Sequence, residues 1–194
     1  MKRTATILCV ITLLALLGCA TAPAPERTRY LMRSSEGTPA GPVSHARLGF
    51  RRVVVAPYLK SLGLVVETGP GQVNSARFHE WAEPLDQGLR RFLVPATAAA
   101  LGESVGGGAA YAGDWAYRVD LYIDQLHGTA EGDALLAAEW RIVDSAGVEV
   151  GRSAFSKRSA LSGSGYDALA EAELALVAEL ATAVADSLRD LPKD

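Results

Sequence analysis

The chain has 194 residues, 49% hydrophobic and 21% charged, with 19 Lys and Arg against 22 Asp and Glu. That length allows one domain or two small ones and is enough to bury a core without disulfides or metal, which excludes a low-complexity disordered chain. A formal charge of −3, with no cluster of Lys and Arg in the body of the chain, offers no cations to displace counterions from phosphates, so nucleic acid is excluded as a partner.

At the start, Lys2 and Arg3 precede the uncharged run Ile7 to Leu17, too short to cross roughly 30 Å of hydrocarbon as a helix, so it reads as the apolar region of a signal peptide. It ends in Leu16-Leu17-Gly18-Cys19, followed by Ala20-Thr21. This resembles the lipobox of bacterial lipoproteins: small Gly18 admits a peptidase, and the Cys19 thiol can take a thioether-linked diacylglycerol. An ordinary secretory signal cleaved nearby is the alternative. If residues 1–18 are the signal, Cys9 is discarded with it, and Cys19 carries diacylglycerol and an N-acyl chain as the sole covalent group, with no other cofactor expected. Several acyl chains, at about 0.8 kcal/mol per buried methylene, would anchor the protein firmly to a membrane. Ala20 stands where enteric bacteria use Asp to retain lipoproteins at the inner membrane, so by this resemblance the destination is the periplasmic face of the outer membrane.

Residues 19–27 form a lipidated, Pro-rich tether, because Pro23 and Pro25 favour extended backbone. The remaining 28–191 are expected to form one domain. Short strands are predicted at Arg29 to Met32 and Arg51 to Ala56, and a loop over Ser34 to Ser44. Leu64 to Glu67 and Gln72 to Ser75 flank Thr68-Gly69-Pro70-Gly71 as a hairpin. A helix begins near Pro84, with Leu85, Leu89, Phe92 and Leu93 on one stripe. Pro95 is expected to kink or break it, and Gly106-Gly107-Gly108 to form a flexible loop.

From Trp115 the apolar residues alternate through Ile123, giving a strand with one core face and one wet face that carries Asp120 and Asp124. Strands at Ala134 to Val143 and Glu149 to Lys157 follow through short turns, which makes an antiparallel three-strand meander. The last element is a helix over about Tyr166 to Leu188, with Leu169, Leu176, Val177, Leu180, Val184 and Leu188 facing inward. The expected fold is α+β: a single domain with a largely antiparallel or mixed sheet covered on one face by two helices.

The segment Val53 to Phe92, with Pro57-Tyr58-Leu59 after a valine-rich strand and Trp81-Ala82-Glu83-Pro84-Leu85 opening a helix, resembles the PqiC-like family of ABC-type transport auxiliary lipoproteins. Tyr30-Leu31, the lipobox, Glu139-Trp140 and the terminal helix fall in the family's order. Lys60-Ser61 stands where the family commonly has an acidic–basic pair, and Pro95 interrupts a helix that is usually continuous. The resemblance implies a non-enzymatic outer-membrane adaptor that docks an MCE-domain protein, the periplasmic conduit of a lipid transport system, and a possible homo-oligomeric ring.

Pro57, Tyr58, Leu59, Trp81 and Glu83 are the candidate partner contacts. A structural reading stands beside each: Tyr58 and Leu59 would close one edge of the core, Trp81 would staple onto Leu85 or Leu89, and Glu83 would favour a helix N-terminus. His45, His79 and His127 lack metal-site spacing and are expected to be solvated or structural, so no metal and no catalytic residue is assigned. Two other classes compete with this reading. A periplasmic lipid-binding or assembly lipoprotein holding an acyl ligand directly would need an apolar cavity, and a hydrolase would need a nucleophile–base constellation that the sequence lacks.

Overall fold

In the computed structural model, residues 25–34, 46–107 and 115–192 are described. Residues 1–18, expected to be a signal peptide, with Cys19, His45 and Gly108 lie outside them. In chain order the elements are β1 (Thr28–Tyr30), β2 (Leu48–Val55), a 3-10 turn (Pro57–Lys60), β3 (Gly63–Gly69), β4 (Gln72–Trp81), α1 (Leu85–Leu101), β5 (Val105–Gly107), β6 (Tyr117–Gly128), β7 (Asp133–Asp144), β8 (Glu149–Ala160) and α2 (Tyr166–Arg189). They make one α+β domain around a mixed eight-stranded sheet.

The long strand β6 organises that sheet. One edge pairs antiparallel with β7, and β7 with β8, which is the meander expected from the short turns. Two strands share the other edge: β2 runs parallel to it from Leu48 opposite Tyr117 to Val55 opposite Ile123, and β3 takes it up again where Val66 faces Gly128. Between them the Pro57–Lys60 turn steps out of the ladder, because proline cannot donate to it. Outside these strands lie β5, parallel to β2 at Leu48 to Phe50, and β4, antiparallel to β3 with β1 on its far side. Gly69 pairs with Gln72, which leaves Pro70-Gly71 as a two-residue reversal, and Gly71 supplies the positive φ of 71°.

The two helices cover one face. The stripe of α2 places Leu176, Val177, Leu180 and Val184 at zero exposure, each contributing about 1.5–3 kcal/mol of burial. From β6 and β7, Val119, Leu121, Ile123, Leu136, Trp140 and Ile142 meet it. Trp140 donates its indole N–H to Ser187 Oγ at 3.0 Å, which satisfies the one polar atom of a buried ring. A bulge between Ile123 and Gln125 shifts the alternation by one, so that Leu126 returns to the core.

Three expectations are corrected. α1 runs unbroken through Pro95, its second half held by burial of Ala96, Thr97 and Ala98, so packing against α2 outweighs the one lost backbone bond. Gly106 and Gly107 belong to β5 and not to a loop. The reason is Trp115, whose ring lies across the sheet: a Cβ on Gly49 would stand 2.2 Å from it and one on Gly106 2.3 Å, so only glycine-bearing strands fit beneath. The third correction concerns Asp120, expected on a wet face and in fact fully buried. Arg51 and Arg141, from the strands on either side, fold over it and shut water out. Several elements are also longer than expected: β2 starts at Leu48 and β4 reaches Trp81, while β1 ends at Tyr30.

Candidate functional site

The Pro57–Lys60 turn and the first turn of α1 converge on one groove. β2 delivers Val53 to Val55 to its floor, the turn adds Lys60, and the chain after β4 brings Pro84, Leu85 and Asp86 to the opposite wall. Its volume is about 400 Å³. Val53 and Val55 turn their side chains inward at 6% exposure each, whereas Val54 points out and is 41% exposed. Lys60, Pro84 and Asp86 are exposed. The two segments that carried the resemblance thus frame the same depression, although they lie more than 20 residues apart.

The five candidate contacts divide sharply. Leu59 and Trp81 are buried in the core at 2% and 4% exposure. Trp81 shares an interior pocket with Met32 and Leu85 and meets the edge of the Tyr30 ring. Pro57 is exposed, Tyr58 half-buried, and Glu83 half-buried and ion-paired with Arg91 at 3.0 Å. Of the five, only Pro57 and parts of Tyr58 and Glu83 reach the surface, and none of them lines the groove, whose exposed lining is Val54, Lys60, Pro84 and Asp86.

Beneath the turn lies a polar cluster. Tyr58 Oη and His127 Nδ1 are 2.9 Å apart. Burial is the main cause of the raised Tyr58 pKa; the backbone of Leu126 opposes it, and the negative charges of Glu173, Asp124 and Glu67 add to it. Burial also lowers His127, which favours a neutral ring able to accept from the phenol. Glu173 projects from α2 at 1% exposure, its Oε1 has no hydrogen-bond partner, and burial alone pushes its pKa up to about 8. At neutral pH it is a protonated acid inside the core.

His79 also has a structural setting. Its ring stacks on Tyr166 at 4.5 Å, and its Nδ1 lies 2.8 Å from Tyr30 Oη, which in turn donates to Asp167 at 2.6 Å. Burial raises the Tyr30 pKa, as do the bond to Asp167 and its charge. These contacts tie β1 to the start of α2. Beside Tyr166 a cleft of about 210 Å³ opens among Val66, Gly128, Leu161 and Leu169. Among the described residues no group of three or more His, Cys, Asp or Glu is placed to hold a metal ion.

Residue-by-residue reading missed Glu173, although it falls on the inward stripe four after Leu169 and three before Leu176. It missed Asp120 for a different reason: its arginines become neighbours only through strand register.

Two solved structures share this fold. The crystal structure of an uncharacterized protein matches with a TM-score of 0.72 and 22% identity, covering 84% of this chain and 99% of that one. A Xanthomonas campestris protein of the DUF330 family matches with a TM-score of 0.66 and 18% identity, covering 81% of this chain and 92% of that one. A PelC dodecamer from Paraburkholderia phytofirmans gives a TM-score of 0.39 at 15% identity, covering 75% of this chain and 92% of that one. No curated protein matches the chain in sequence. In sequence, residues 30–185 match the model of the ABC-type transport auxiliary lipoprotein components, a span that holds every strand but the first residues of β1 and all but the last turn of α2; the chain belongs to this family.

Proposed function

We propose that the protein is a non-enzymatic docking adaptor, held by acyl chains on Cys19 at the periplasmic face of the outer membrane, for the MCE-domain conduit of an ABC-type lipid transport system. The family match over residues 30–185 carries this reading. The lipobox at Leu16 to Cys19 supports the anchor, and a Pro-containing tether of residues 19–27 would let the domain stand up to roughly 30 Å from the leaflet. The groove lined by Val53 to Val55, Lys60 and Pro84 to Asp86 is the docking surface we favour, with exposed Pro57 and half-buried Tyr58 and Glu83 adjoining these segments in sequence. A homo-oligomeric ring of adaptors around the conduit tip is part of the same proposal.

Cells grown with labelled palmitate and carrying the full chain test it directly. Label should appear on the purified protein and vanish with Cys19→Ala, and crosslinking in intact cells followed by membrane purification should recover an MCE-domain protein. Absence of that protein from the crosslinked partners would overturn the docking role.

A second reading, direct holding of an acyl ligand, draws on the 210 Å³ cleft beside Tyr166 and Leu169. That volume falls below the roughly 300–1,000 Å³ of ordinary ligand pockets, so it takes part of one chain and not a whole diacyl lipid. Native mass spectrometry of protein purified without added lipid distinguishes the two: a retained acyl ligand favours direct binding.

A further inference from the structure

We infer that Tyr30 and Met32 are positioning residues of the docking groove: the segment Thr28 to Met32 is a strap that sets its Pro84–Asp86 wall in place. This deepens the docking reading above and rests on it. The start of α1 needs outside support. Pro84 occupies the N-cap position, makes no side-chain bond to the helix and has no acceptor with which to make one. No cap within the helix therefore fixes the angle at which the wall leaves β4.

The strap supplies what the cap lacks. β1 pairs in parallel with His79, Glu80 and Trp81, and one residue further on Ala82 donates its N–H to the Tyr30 carbonyl at 2.7 Å. The Tyr30 ring meets the edge of Trp81, with 6.3 Å between centroids. Met32 is then buried to 2% exposure in a seat lined by Trp81, Ala82, Leu85 and Gly88. A Cβ on Gly88 would stand 3.3 Å from the Met32 Cβ, so the strap lies close against α1 at a position without a side chain. Leu85 is the shared element: it lines the Met32 seat and also the 400 Å³ groove. Emptying the seat removes packing from Leu85, and the wall follows it.

The strap is pinned on its other side by α2. Tyr30 Oη donates to Asp167 in the first turn of that helix at 2.6 Å and lies 2.8 Å from His79 Nδ1. Exposed Arg27 and Arg29 pair with Glu80 and add little. Two of the three β1 residues are exposed, so the strap belongs to the part of the fold that opens before the core does. Neither Tyr30 nor Met32 lines the groove; each acts on it through Ala82 or Leu85.

Amide hydrogen exchange on the full-length protein in detergent micelles reads the wall through Ala82, bonded to Tyr30, and through Gln87 and Gly88, bonded to the Pro84 carbonyl. Met32→Ala should speed all three at least tenfold, Tyr30→Phe at least threefold, and Met32→Leu, which refills the seat, less than twofold. Val119 and Leu121, in the stretch of β6 paired on both sides, should keep their rates in every variant. In cells, Met32→Ala should lower crosslinking to the MCE-domain protein at least fivefold while palmitate labelling stays the same. Unaltered wall rates, equal acceleration of Val119 and Leu121, or full crosslinking despite a loosened wall would each overturn the inference. Should the wild-type protein itself fail to crosslink, the docking reading falls and this inference with it.

Discussion

On the open face of the sheet Asp120 is fully buried between Arg51 and Arg141, whereas under the helices Glu173 is just as deeply buried and has an oxygen with no partner at all. The two carboxyls resolve the same cost in opposite ways. Burial by itself would raise Asp120, but the hydrogen bonds and charges of Arg51 and Arg141 outweigh it and hold its pKa below the ordinary carboxylate range. Glu173, buried with no cation to compensate its charge, has its pKa pushed up to about 8 by burial alone. A charge supplied by neighbouring strands buys ionisation on one face, and its absence enforces neutrality on the other.

The largest expected effect comes from Glu173. Because its folded pKa is raised, its contribution to stability is present in full below the unfolded value near 4.5 and is lost as pH rises through about 8. Denaturant titrations from pH 5 to 9 should show stability falling across that window by on the order of 3 kcal/mol, and Glu173→Gln should flatten the slope. An unchanged slope in the variant would mean that Glu173 is not the buried acid.

Asp120 has the opposite sign. Its depressed pKa gives stability that is present above the unfolded carboxylate pKa and lost as pH falls through the folded one. Asp120→Ala should cost about 2–3 kcal/mol at pH 7, at the low end for a buried pair because Arg51 and Arg141 are 31% and 34% exposed and recover some hydration. A neutral outcome by thermal or chemical denaturation would show that the arginines, not the carboxylate, shape this face.

Beside that cluster, Gly106→Ala tests the apolar end of the open face. With 2.3 Å to the Trp115 ring, the added methyl should displace the indole and cost about 1–3 kcal/mol, accompanied by a red shift in tryptophan fluorescence. Under the turn, Tyr58→Phe removes the bond to His127 and should cost about 1 kcal/mol while leaving the fold intact, as amide spectra would report. Glu149→Ala should give no measurable change in the unfolding midpoint, since its pair with Arg152 lies in solvent.

Much of this arrangement was legible in residue order. Period-two alternation from Tyr117 and the short turns after Gly128 and Asp144 foretold the meander, and the stripe from Leu169 to Leu188 foretold α2 almost to its ends. Pro84 marked the start of α1 correctly, but Pro95 misled, because the cost of one missing backbone bond was set against local propensity and not against the burial of Ala96 to Ala98. Gly106 misled in the same way: its freedom looked like flexibility until Trp115, nine residues later and outside the strand, came to rest on it. Of the motif residues, Leu59 and Trp81 are buried in the core, while the exposed lining of the groove is Val54, Lys60, Pro84 and Asp86.

By itself the sequence determined the elements whose signal is periodic and local: the meander, two amphipathic helices, and a hairpin reversed at Pro70-Gly71. Only the tertiary structure decided which carboxyl is charged, which motif side chains reach the surface, and that β6 shares one edge between β2 and β3. Those outcomes depend on strand register and on contacts between residues tens of positions apart. Burial and electrostatic energies arise from what surrounds a group in space, and alternation along a chain carries no record of the neighbour across the sheet.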